Sequence, residues 1–568
     1  MKKNKYLITL LLVVLFAACS EDRLNIPQKG VINLDEFYIT DADAESALVA
    51  VYAHFAQNIA SSAGANIYVP LNILLNYPAD NVLAAGNFYG DNDMVGAMDE
   101  FRFDSQSPVV SLAYSHFYWV IYRCNLITDN FTYGVSPVKD RCIAEAKVIR
   151  AWCYMMLAMA WGNPPLVDHV LKADEKPANF EGGHDALLQW CADECAEAVP
   201  YLDERQSTAD KDGAVRVTKG FAWTVQGKAL MYLGEYETAK TPLRNIINSG
   251  KYALVPGTEW ASLFHIEGDG SSEKIFESNI MQNASIGTWS GKIQRSTWME
   301  ANIWGWRSDK LAAKPVYQAV GGWGGLAIQE DFAEEFIAHD GDSYRRKGTM
   351  LSFNEFLTEI EWPSDKGKPD SATVAQKMAD PKRGITDLGG LYGQSLYLQK
   401  KHIATKADIL QTNSYRFNNF IIERYANVLL LYAEACANTT DGDGAGLAAL
   451  REVQLRAGIP SANVSTTLTL DAVKKERNFE LWCERERWID MKRWGEFDNV
   501  VNAGENIPSL KDAFFTLDEA AHRGYLTYSE PNKDANLEHG FKANKNEWFP
   551  YPYAVTSINP NLVQNPGY

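Results

Sequence analysis

The sequence predicts a mainly α-helical protein in which tetratricopeptide-like helix pairs are interrupted by a large irregular insertion. Apolar residues recur at every third or fourth position along several long segments, as they do on one face of a helix. Two of these segments also carry the large and small residues of a helix-pair repeat. Between them, residues 260–420 are rich in Gly, Trp, Asn and Ser and contain few long helical runs.

The size and composition of the chain are those of a large globular protein. It has 568 residues, more than the roughly 250–300 at which a single hydrophobic core stops growing. Hydrophobic residues make up 46% and charged residues 22% of the sequence, an ordinary globular balance. We therefore expect several packed units or a repeat array.

The first eighteen residues have the pattern of a secretory signal peptide. A basic start, MKKNK, is followed by the apolar run YLITLLLVVLF, which is too short to span a membrane. Leu15–Cys19 resembles a bacterial lipobox, which predicts that Cys19 is lipidated and becomes the mature N-terminus. The alternative is ordinary cleavage that leaves Cys19 free. Residues 19–30 then read as an acidic tether, and residues 31–568 as the folded domain.

The charge of the chain argues against nucleic-acid binding. Removal of residues 1–18 takes away three lysines and no acids, so the formal charge changes from −18 to −21. Such a chain repels phosphate backbones, and its acidity mainly serves solubility.

Helical periodicity accounts for most of the chain outside the insertion. Four long segments show it before residue 210: 41–57, 111–127, 139–162 and 184–202. Asp41 and Ser111 lie where helix starts are expected, and the GNPPL motif ends the third helix. The repeat regions are thus predicted at 41–57, 111–250 and 421–495, and the irregular regions at 60–108, 260–420 and 500–568.

Two helix pairs have tetratricopeptide-like spacing. Residues 223–246 place these side chains at the expected intervals: Trp223, Gly227, Leu230, Gly234, Tyr236, Ala239 and Leu243. A second pair lies at 423–457, where Leu429 replaces the first glycine. Since degenerate repeats of this kind cannot bury their apolar faces alone, they should pack on one another and on the helices of 111–202.

The cysteines and an acid-rich helix have structural interpretations. Seven cysteines follow Cys19, most of them in apolar helical sequence without the His or Cys partners of a zinc site, so we expect buried thiols. Glu476, Glu480 and Glu484 recur every four residues with Arg477 and Arg485 between them. This pattern predicts a helix surface or a structural ion-pair network.

A calcium loop is a further hypothesis for residues 441–452. Asp441, Asp443 and Glu452 match three ligand positions of an EF-hand loop, but Ala445 occupies another. A helix-connecting turn explains the same residues, because Asp and Gly favour turns and caps. A structural calcium ion is therefore possible on sequence grounds, and no other cofactor is predicted.

No enzyme motif is present in the sequence. It lacks H-E-x-x-H, G-x-S-x-G and P-loop patterns. Glycoside hydrolysis needs only two carboxylates, and the chain has 72 acidic residues, so a glycosidase remains an alternative by residue count. We predict a protein without catalytic activity.

Six motifs in order resemble the SusD/RagB family of Bacteroidetes outer-membrane nutrient-binding lipoproteins. After the lipobox come AEAKVIRAWCYMMLAMAWGNPPLV, VTKGFAWTVQGKALMYLGEYETAK, GWGGLAIQEDFAEEFIAHDGDSYRRKGTM, YANVLLLYAEACAN with REVQLRAG, ERNFELWCERERWIDMKRWGEF and PYAVTSINPNLVQNPGY. Three residues depart from the family pattern: Arg485 stands where the family usually has Gly, Glu486 replaces a polar residue, and Tyr344 interrupts a D-x-R turn.

The resemblance implies four tetratricopeptide-like units with an irregular ligand-binding subdomain. It also implies a location on the cell outer membrane facing the exterior, and a SusC-like TonB-dependent transporter as partner. The implied ligand is usually an oligosaccharide and sometimes a peptide. We therefore predict a surface protein that captures oligosaccharides for its transporter. The alternatives are a peptide-binding member of the family and a helical glycoside hydrolase.

The predicted ligand site rests on two segments. Residues 289–323 hold Trp289, Trp298, Trp304, Trp306 and Trp323, and Asn302 and Arg307 lie among them. Tryptophan faces stack on sugar rings, although each could equally pack on the helices. We expect Trp304 and Trp306 to face outward, followed by Trp289, with Trp298 as the packing residue. The resemblance adds Asp80, Asn81 and Tyr89 in an early loop, where capping and turn formation are the alternatives.

Overall fold

The computed structural model describes most of the chain after the tether. The described residues are 37–60, 69–85, 93–280, 303–306, 315–319, 321–361, 397–409, 416–497, 513–518, 523–528 and 540–568. The predicted signal peptide, Cys19 and the tether of residues 19–30 lie outside them.

Helices dominate the described residues, which confirms the predicted fold class. The α-helices are α1 Asp41–Asn58, α2 Pro70–Asn76, α3 Asp93–Asp99, α4 Pro108–Asn130, α5 Pro137–Trp161, α6 Gly183–Ala198, α7 Lys219–Tyr232, α8 Tyr236–Asn248, α9 Glu330–Asp340, α10 Tyr344–Thr349, α11 Phe353–Glu359, α12 Tyr425–Ala437, α13 Ala445–Ala457, α14 Leu470–Glu480, α15 Arg487–Trp494 and α16 Tyr553–Thr556.

Short strands form four antiparallel pairs among the described residues. The strands are β1 Val82–Ala84, β2 Lys274–Ser278, β3 Leu326–Ile328, β4 Met350–Ser352, β5 Tyr397–Gln399, β6 Phe420–Arg424, β7 Ala513–Asp518 and β8 Arg523–Tyr528. They pair as β1 with β3, β2 with β6, β4 with β5 and β7 with β8. Ser278 pairs with Phe420, so the chain enters and leaves the insertion at neighbouring points of one ladder.

The long helices pack in chain order around one large core. Helix α5 is buried along most of its length and packs against α4 on one side and α6 on the other. Helix α7 packs on α6 and α8, and α12 packs on α8 and α13. The two predicted helix pairs are therefore confirmed as packed helices, while their assignment to the tetratricopeptide class stays a prediction.

The helix ends follow local sequence signals, with one difference from the prediction. Helix α4 begins at Pro108 and not at Ser111. Proline suits the first helical position because its missing N–H would have no partner there. Helix α5 ends at Gly162, whose φ of +77° is the left-handed conformation that glycine adopts at low cost.

The described residues of the region 60–108 include two short helices that the sequence analysis did not predict. Every residue of α2 is buried, and α3 follows it. The prediction of an irregular region is therefore wrong for these residues. A run of seven, PLNILLN, is too short to display helical periodicity, so its burial could not be inferred from the pattern.

All seven cysteines after Cys19 are buried thiols, as predicted. Burial raises the pKa of the Cys124 thiol to about 12, since the thiolate would lose its hydration. These thiols are packing residues.

No helix among the described residues has both the length and the apolar composition required to cross a membrane.

A buried ionic cluster joins α14 to the strands that frame the insertion. Arg424 of β6 bonds Glu273 at 2.8 Å, Glu480 at 2.6 Å and Glu484 at 2.7 Å. Arg456 of α13 bonds the same Glu273 and Glu480 carboxylates, each at 2.6 Å. This arrangement confirms the structural ion-pair network predicted for the acid-rich helix.

The cluster extends to two further elements. Arg345 of α10 forms a two-bond ion pair with Asp340, both bonds 3.0 Å long, and also contacts Glu476 and Glu480. Lys401, which follows β5, bonds the Glu484 carboxylate at 2.5 Å and the Trp482 carbonyl at 2.7 Å. Helices α9, α10, α13 and α14 and strands β5 and β6 thus meet at one set of charges.

The charges in this cluster stabilise one another strongly enough to shift their pKa values. Burial would raise the pKa of Glu480, but Arg456, Arg424 and Arg345 outweigh it and lower that pKa. Burial also opposes ionisation of Glu484, whose pKa is nevertheless lowered to about 2 by Arg424 and Lys401. Both carboxylates therefore stay ionised well below neutral pH.

We expect Glu484→Gln to destabilise the protein and to weaken its response to acid. Loss of one partner leaves Arg424 and Lys401 buried with less compensation, which costs about 3–5 kcal/mol of unfolding free energy. Because the folded pKa lies below the ordinary value of 4.5, the contribution of Glu484 is complete above pH 4.5 and is lost as the pH falls toward 2. Urea unfolding at a series of pH values measures both effects.

Glu335→Gln provides the matched control for this measurement. Glu335 pairs with Lys475 at 2.7 Å on the surface, where both side chains are nearly half exposed, so its loss should cost less than about 1 kcal/mol. If both variants lost the same unfolding free energy, the buried cluster would contribute no more to stability than a surface ion pair does.

Candidate functional site

The structure describes five of the ten predicted ligand-binding residues. These are Asp80, Asn81, Trp304, Trp306 and Trp323. The other five lie outside the described residues: Tyr89, Trp289, Trp298, Asn302 and Arg307. We refer to the described residues 303–306 and 321–325, with the side chains that bond to them, as the frame.

Trp304 is an interior residue. Its side chain is 3% exposed, and its indole N–H donates to the Tyr77 hydroxyl at 3.0 Å. The Tyr77 hydroxyl donates in turn to the Gly325 carbonyl at 2.8 Å. This chain of bonds ties the insertion to the buried residues around α2.

Trp306 is buried as well, with 5% of its surface exposed. Its indole N–H donates to the Gln399 carbonyl at 2.6 Å, and its ring packs edge-on against Phe356 with the centroids 4.8 Å apart. The prediction that Trp304 and Trp306 face outward is therefore wrong. The spacing of the two residues in the sequence could not show whether their side chains meet solvent or protein.

Trp323 is the described tryptophan of this segment that reaches solvent, with 40% of its surface exposed. The glycine-rich stretch that carries it runs along residues 303–306. The N–H groups of Gly322 and Gly324 donate to the carbonyls of Trp306 at 2.9 Å and Gly305 at 3.0 Å. The backbone beneath Trp323 is thus held by regular hydrogen bonds.

Glycine is required for this close approach. A Cβ atom on Gly322 would lie 1.9 Å from the backbone carbon of Gly305, far inside contact distance. Gly324 has a φ of +66°, a conformation that residues with side chains rarely adopt. The glycines of the GGWGG motif therefore let its backbone pack closely against residues 303–306, while the Trp323 side chain reaches solvent.

Asp80 and Asn81 have structural roles. Asp80 forms a two-bond ion pair with Arg487 of α15, at 2.7 and 2.5 Å. Asn81 is buried, donates to the Asn478 side chain at 2.7 Å and accepts from the Trp482 indole at 3.0 Å. The prediction that these two residues contact ligand is therefore wrong, because both bond to the α14–α15 region.

The sequence analysis missed the residues that hold the tryptophans in place. The Gln399 carbonyl accepts a hydrogen bond from the Trp306 indole, and the Gln399 side-chain amide donates to the Trp304 carbonyl. Gln318 donates to the Trp306 carbonyl at 2.9 Å. Glutamines far apart in sequence carry no pattern that would reveal these contacts.

Two of the predicted calcium residues, Asp441 and Asp443, bond to backbone amides at the start of α13, while Glu452 lies within that helix. The Asp441 carboxylate accepts from the Gly446 and Leu447 amides at 2.8 and 3.0 Å, which caps α13. Asp443 accepts from Ala445 at 3.2 Å. Across the described part of the chain, no group of three or more His, Cys, Asp or Glu side chains could hold a metal ion. Calcium binding at Asp441, Asp443 and Glu452 stays a prediction.

Two buried acidic residues lie next to the short sheet formed by β1 and β3. Burial raises the pKa of Asp99 to about 8 and that of Glu330 to about 8. Asp99 accepts from the Ala84 amide of β1 at 2.9 Å, and Glu330 begins α9 directly after β3. Since β1 pairs with β3, both carboxyls belong to the support of one short sheet.

These features define a helical scaffold that presents aromatic side chains on an inserted, loop-rich region, and comparisons with known proteins place it in a family. The model of the SusD family matches residues 272–568, more than half of the chain. A SusD-like protein of Bacteroides ovatus is 26% identical over 536 residues, which cover 89% of this chain and 85% of that protein. The chain belongs to the SusD family, as its motifs predicted.

Solved structures share the fold over nearly the whole chain. A laminarin-binding SusD-like protein superposes with a TM-score of 0.69 at 22% identity, covering 93% of this chain and 99% of the other. Surface glycan-binding protein A from Bacteroides thetaiotaomicron, solved in complex with laminarihexaose, has a TM-score of 0.68 at 21% identity and covers 93% of this chain and all of its own.

We expect Trp304→Ala to destabilise the protein by about 3–5 kcal/mol, since it leaves a cavity and removes the hydrogen bond to the Tyr77 hydroxyl. Trp323→Ala should change the unfolding free energy by less than about 1 kcal/mol, because its side chain is partly exposed. Urea unfolding of the two variants measures the contrast. A Trp304→Ala variant as stable as the parent would contradict the interior role of this residue.

Proposed function

We propose that this protein captures oligosaccharides at the cell surface and passes them to a partner transporter without chemical change. The observation that carries the proposal is Trp323, an exposed aromatic side chain on a backbone that hydrogen bonds hold in place. Aromatic faces stack on the C–H faces of sugar rings, and a preorganised platform loses little entropy when a sugar binds.

The comparisons support the glycan class of ligand. One solved relative is described as laminarin-binding, and another was solved with laminarihexaose. Both share the helical scaffold of this chain, and the family model covers the region that contains Trp323. Laminarihexaose is therefore the first probe, followed by other oligosaccharides.

The acidic residues support a protein without catalytic activity. A glycosidase requires one carboxyl group with a raised pKa beside a second that stays ionised. At the end of α14 and just after it, Glu480 and Glu484 are engaged by arginine and lysine side chains, and their pKa values are lowered. Glu476 is bound by Arg345 in the interior. These acids serve the fold.

The remaining parts of the proposal concern location and partner. We propose that Cys19 carries the lipid that anchors the chain to the outer membrane, facing the exterior, and that a SusC-like TonB-dependent transporter receives the ligand. The lipobox-like sequence and the membership of the SusD family support both statements. Metabolic labelling with a fatty acid, compared between the parent and Cys19→Ala, tests the anchor.

Trp323→Ala should abolish or reduce oligosaccharide retention by about tenfold or more, the loss of roughly 1.4 kcal/mol or more of binding free energy. Affinity electrophoresis in gels that contain laminarin, followed by calorimetry with laminarihexaose and an oligosaccharide panel, measures the effect. The melting temperature should stay close to that of the parent.

Trp119→Ala is the matched control, because Trp119 is 50% exposed on α4, outside the insertion. It should bind as the parent does. Equal binding by Trp323→Ala and the parent would remove Trp323 from the site. Stabilisation by peptides and not by any glycan would favour a peptide ligand, and release of reducing sugar would contradict the non-catalytic role.

A further inference from the structure

A second concave site lies away from the glycine-rich frame. A cavity of about 270 Å³ opens between α1, the turn at Val215–Arg216 and the end of β2. This volume lies just below the roughly 300–1,000 Å³ of pockets that hold drug-sized ligands, so it suits a small ligand such as one sugar ring. The residues around it combine aromatic, aliphatic, charged and amide groups.

The floor of the cavity is apolar and largely aromatic. Leu48 and Phe55 of α1 and Phe276 of β2 are buried and line it, and Tyr52 lies between them. The Phe276 centroid is 5.7 Å from that of Phe55 and 6.4 Å from that of Tyr52. A ligand in this cavity therefore rests on ring surfaces fixed by core packing.

The polar side of the cavity is held by a buried carboxylate. Glu145 of α5 is bonded by the Tyr52 hydroxyl at 2.5 Å, by Arg141 at 2.7 Å and by Arg216 at 2.9 Å. The Arg216 side chain lines the cavity and remains 46% exposed. The guanidinium thus has a fixed position at the mouth, with donors directed by its rigid plane.

Acceptors stand opposite this donor. Glu277 is buried and lines the cavity, but other groups already engage its carboxylate. Lys274 Nζ lies 3.2 Å from Oε2, and the Gly270 amide donates to Oε1 at 2.7 Å. Glu45 adds a carboxylate that is 39% exposed, and Ser278 and Asn279 add a hydroxyl and an amide to the lining. These oxygen atoms can accept hydrogen bonds from the hydroxyl groups of a ligand.

We propose that this cavity binds one neutral monosaccharide unit, in addition to the oligosaccharide surface at Trp323. An anion would meet the carboxylate of Glu45, and a cation would meet Arg216, so an uncharged ligand fits both sides of the mouth. Hydroxyl groups can accept from the Arg216 donors and donate to Glu45, while the C–H face of a ring rests on Phe276 and Tyr52. This inference rests on the proposed glycan-binding function and adds a second point of contact.

The test uses methyl glycosides of common hexoses as probes in saturation-transfer NMR. The parent should transfer saturation to at least one methyl glycoside, and Trp323→Ala should keep that signal. Val49→Trp should lose it, because Val49 lines the mouth and is 65% exposed, so a large side chain there blocks the cavity without entering the core. Val135→Trp, at a position that is 62% exposed outside the cavity, is the matched control and should keep the signal.

The outcomes separate this inference from the proposed function. If Val49→Trp retains the parent signal, or if only Trp323→Ala loses it, the cavity is not a sugar site and the inference is overturned. The same holds if the parent binds laminarihexaose but no methyl glycoside. If neither probe binds, the proposed function fails together with the inference. Arg216→Ala, measured with its melting temperature, should weaken the monosaccharide signal about tenfold or more.

Discussion

The buried ionic cluster around Arg424 and Glu480 is the constraint on which the rest of the structure depends. Charges without hydration are tolerated only when each one is paired and hydrogen-bonded, so every member fixes the position of its partners. Arg424 belongs to β6, the strand that closes the insertion, and bonds Glu480 at the end of α14. Lys401 bonds Glu484 and follows β5, whose Gln399 accepts a hydrogen bond from Trp306. The helices and the root of the binding region are therefore set by one group of contacts.

Hydrogen bonds along residues 303–306 explain how an irregular region can hold a defined conformation. Residues 303–306 have no long helix of their own, yet their carbonyls and indole groups bond to Tyr77, Gln399 and the glycine-rich stretch. Trp304 and Trp306 are buried in the protein, and Trp323 is partly exposed on the backbone that packs against them. Of the tryptophans that first suggested binding, the two that were expected to face outward form the base of the site.

Much of the fold could be predicted from the sequence because it depends on local patterns. Helices such as α1 and the α7–α8 pair show their apolar spacing, and GNPPL ends α5 where the motif suggests. The recurrence of Glu476, Glu480 and Glu484 indicated an ionic network. Their partners Arg345 and Arg424 are far away in the chain, and no spacing rule connects them. Arg485 adopts a φ of +71°, in agreement with the glycine usual at that position in the family, although its side chain bonds Asn72. The burial of Trp304, the pairing of Asp80 with Arg487 and the cavity at Phe276 all arise from long-range packing.

A crystal structure with the oligosaccharide that binds most tightly in a screen tests the central claim most directly. The account predicts electron density for a sugar ring on the exposed face of Trp323, with Trp304 still bonded to Tyr77 and Trp306 still bonded to Gln399. A sugar stacked on Trp304 or Trp306, with those bonds broken, would contradict the account. It would mean that the interior tryptophans form the binding surface and that the frame opens to expose them.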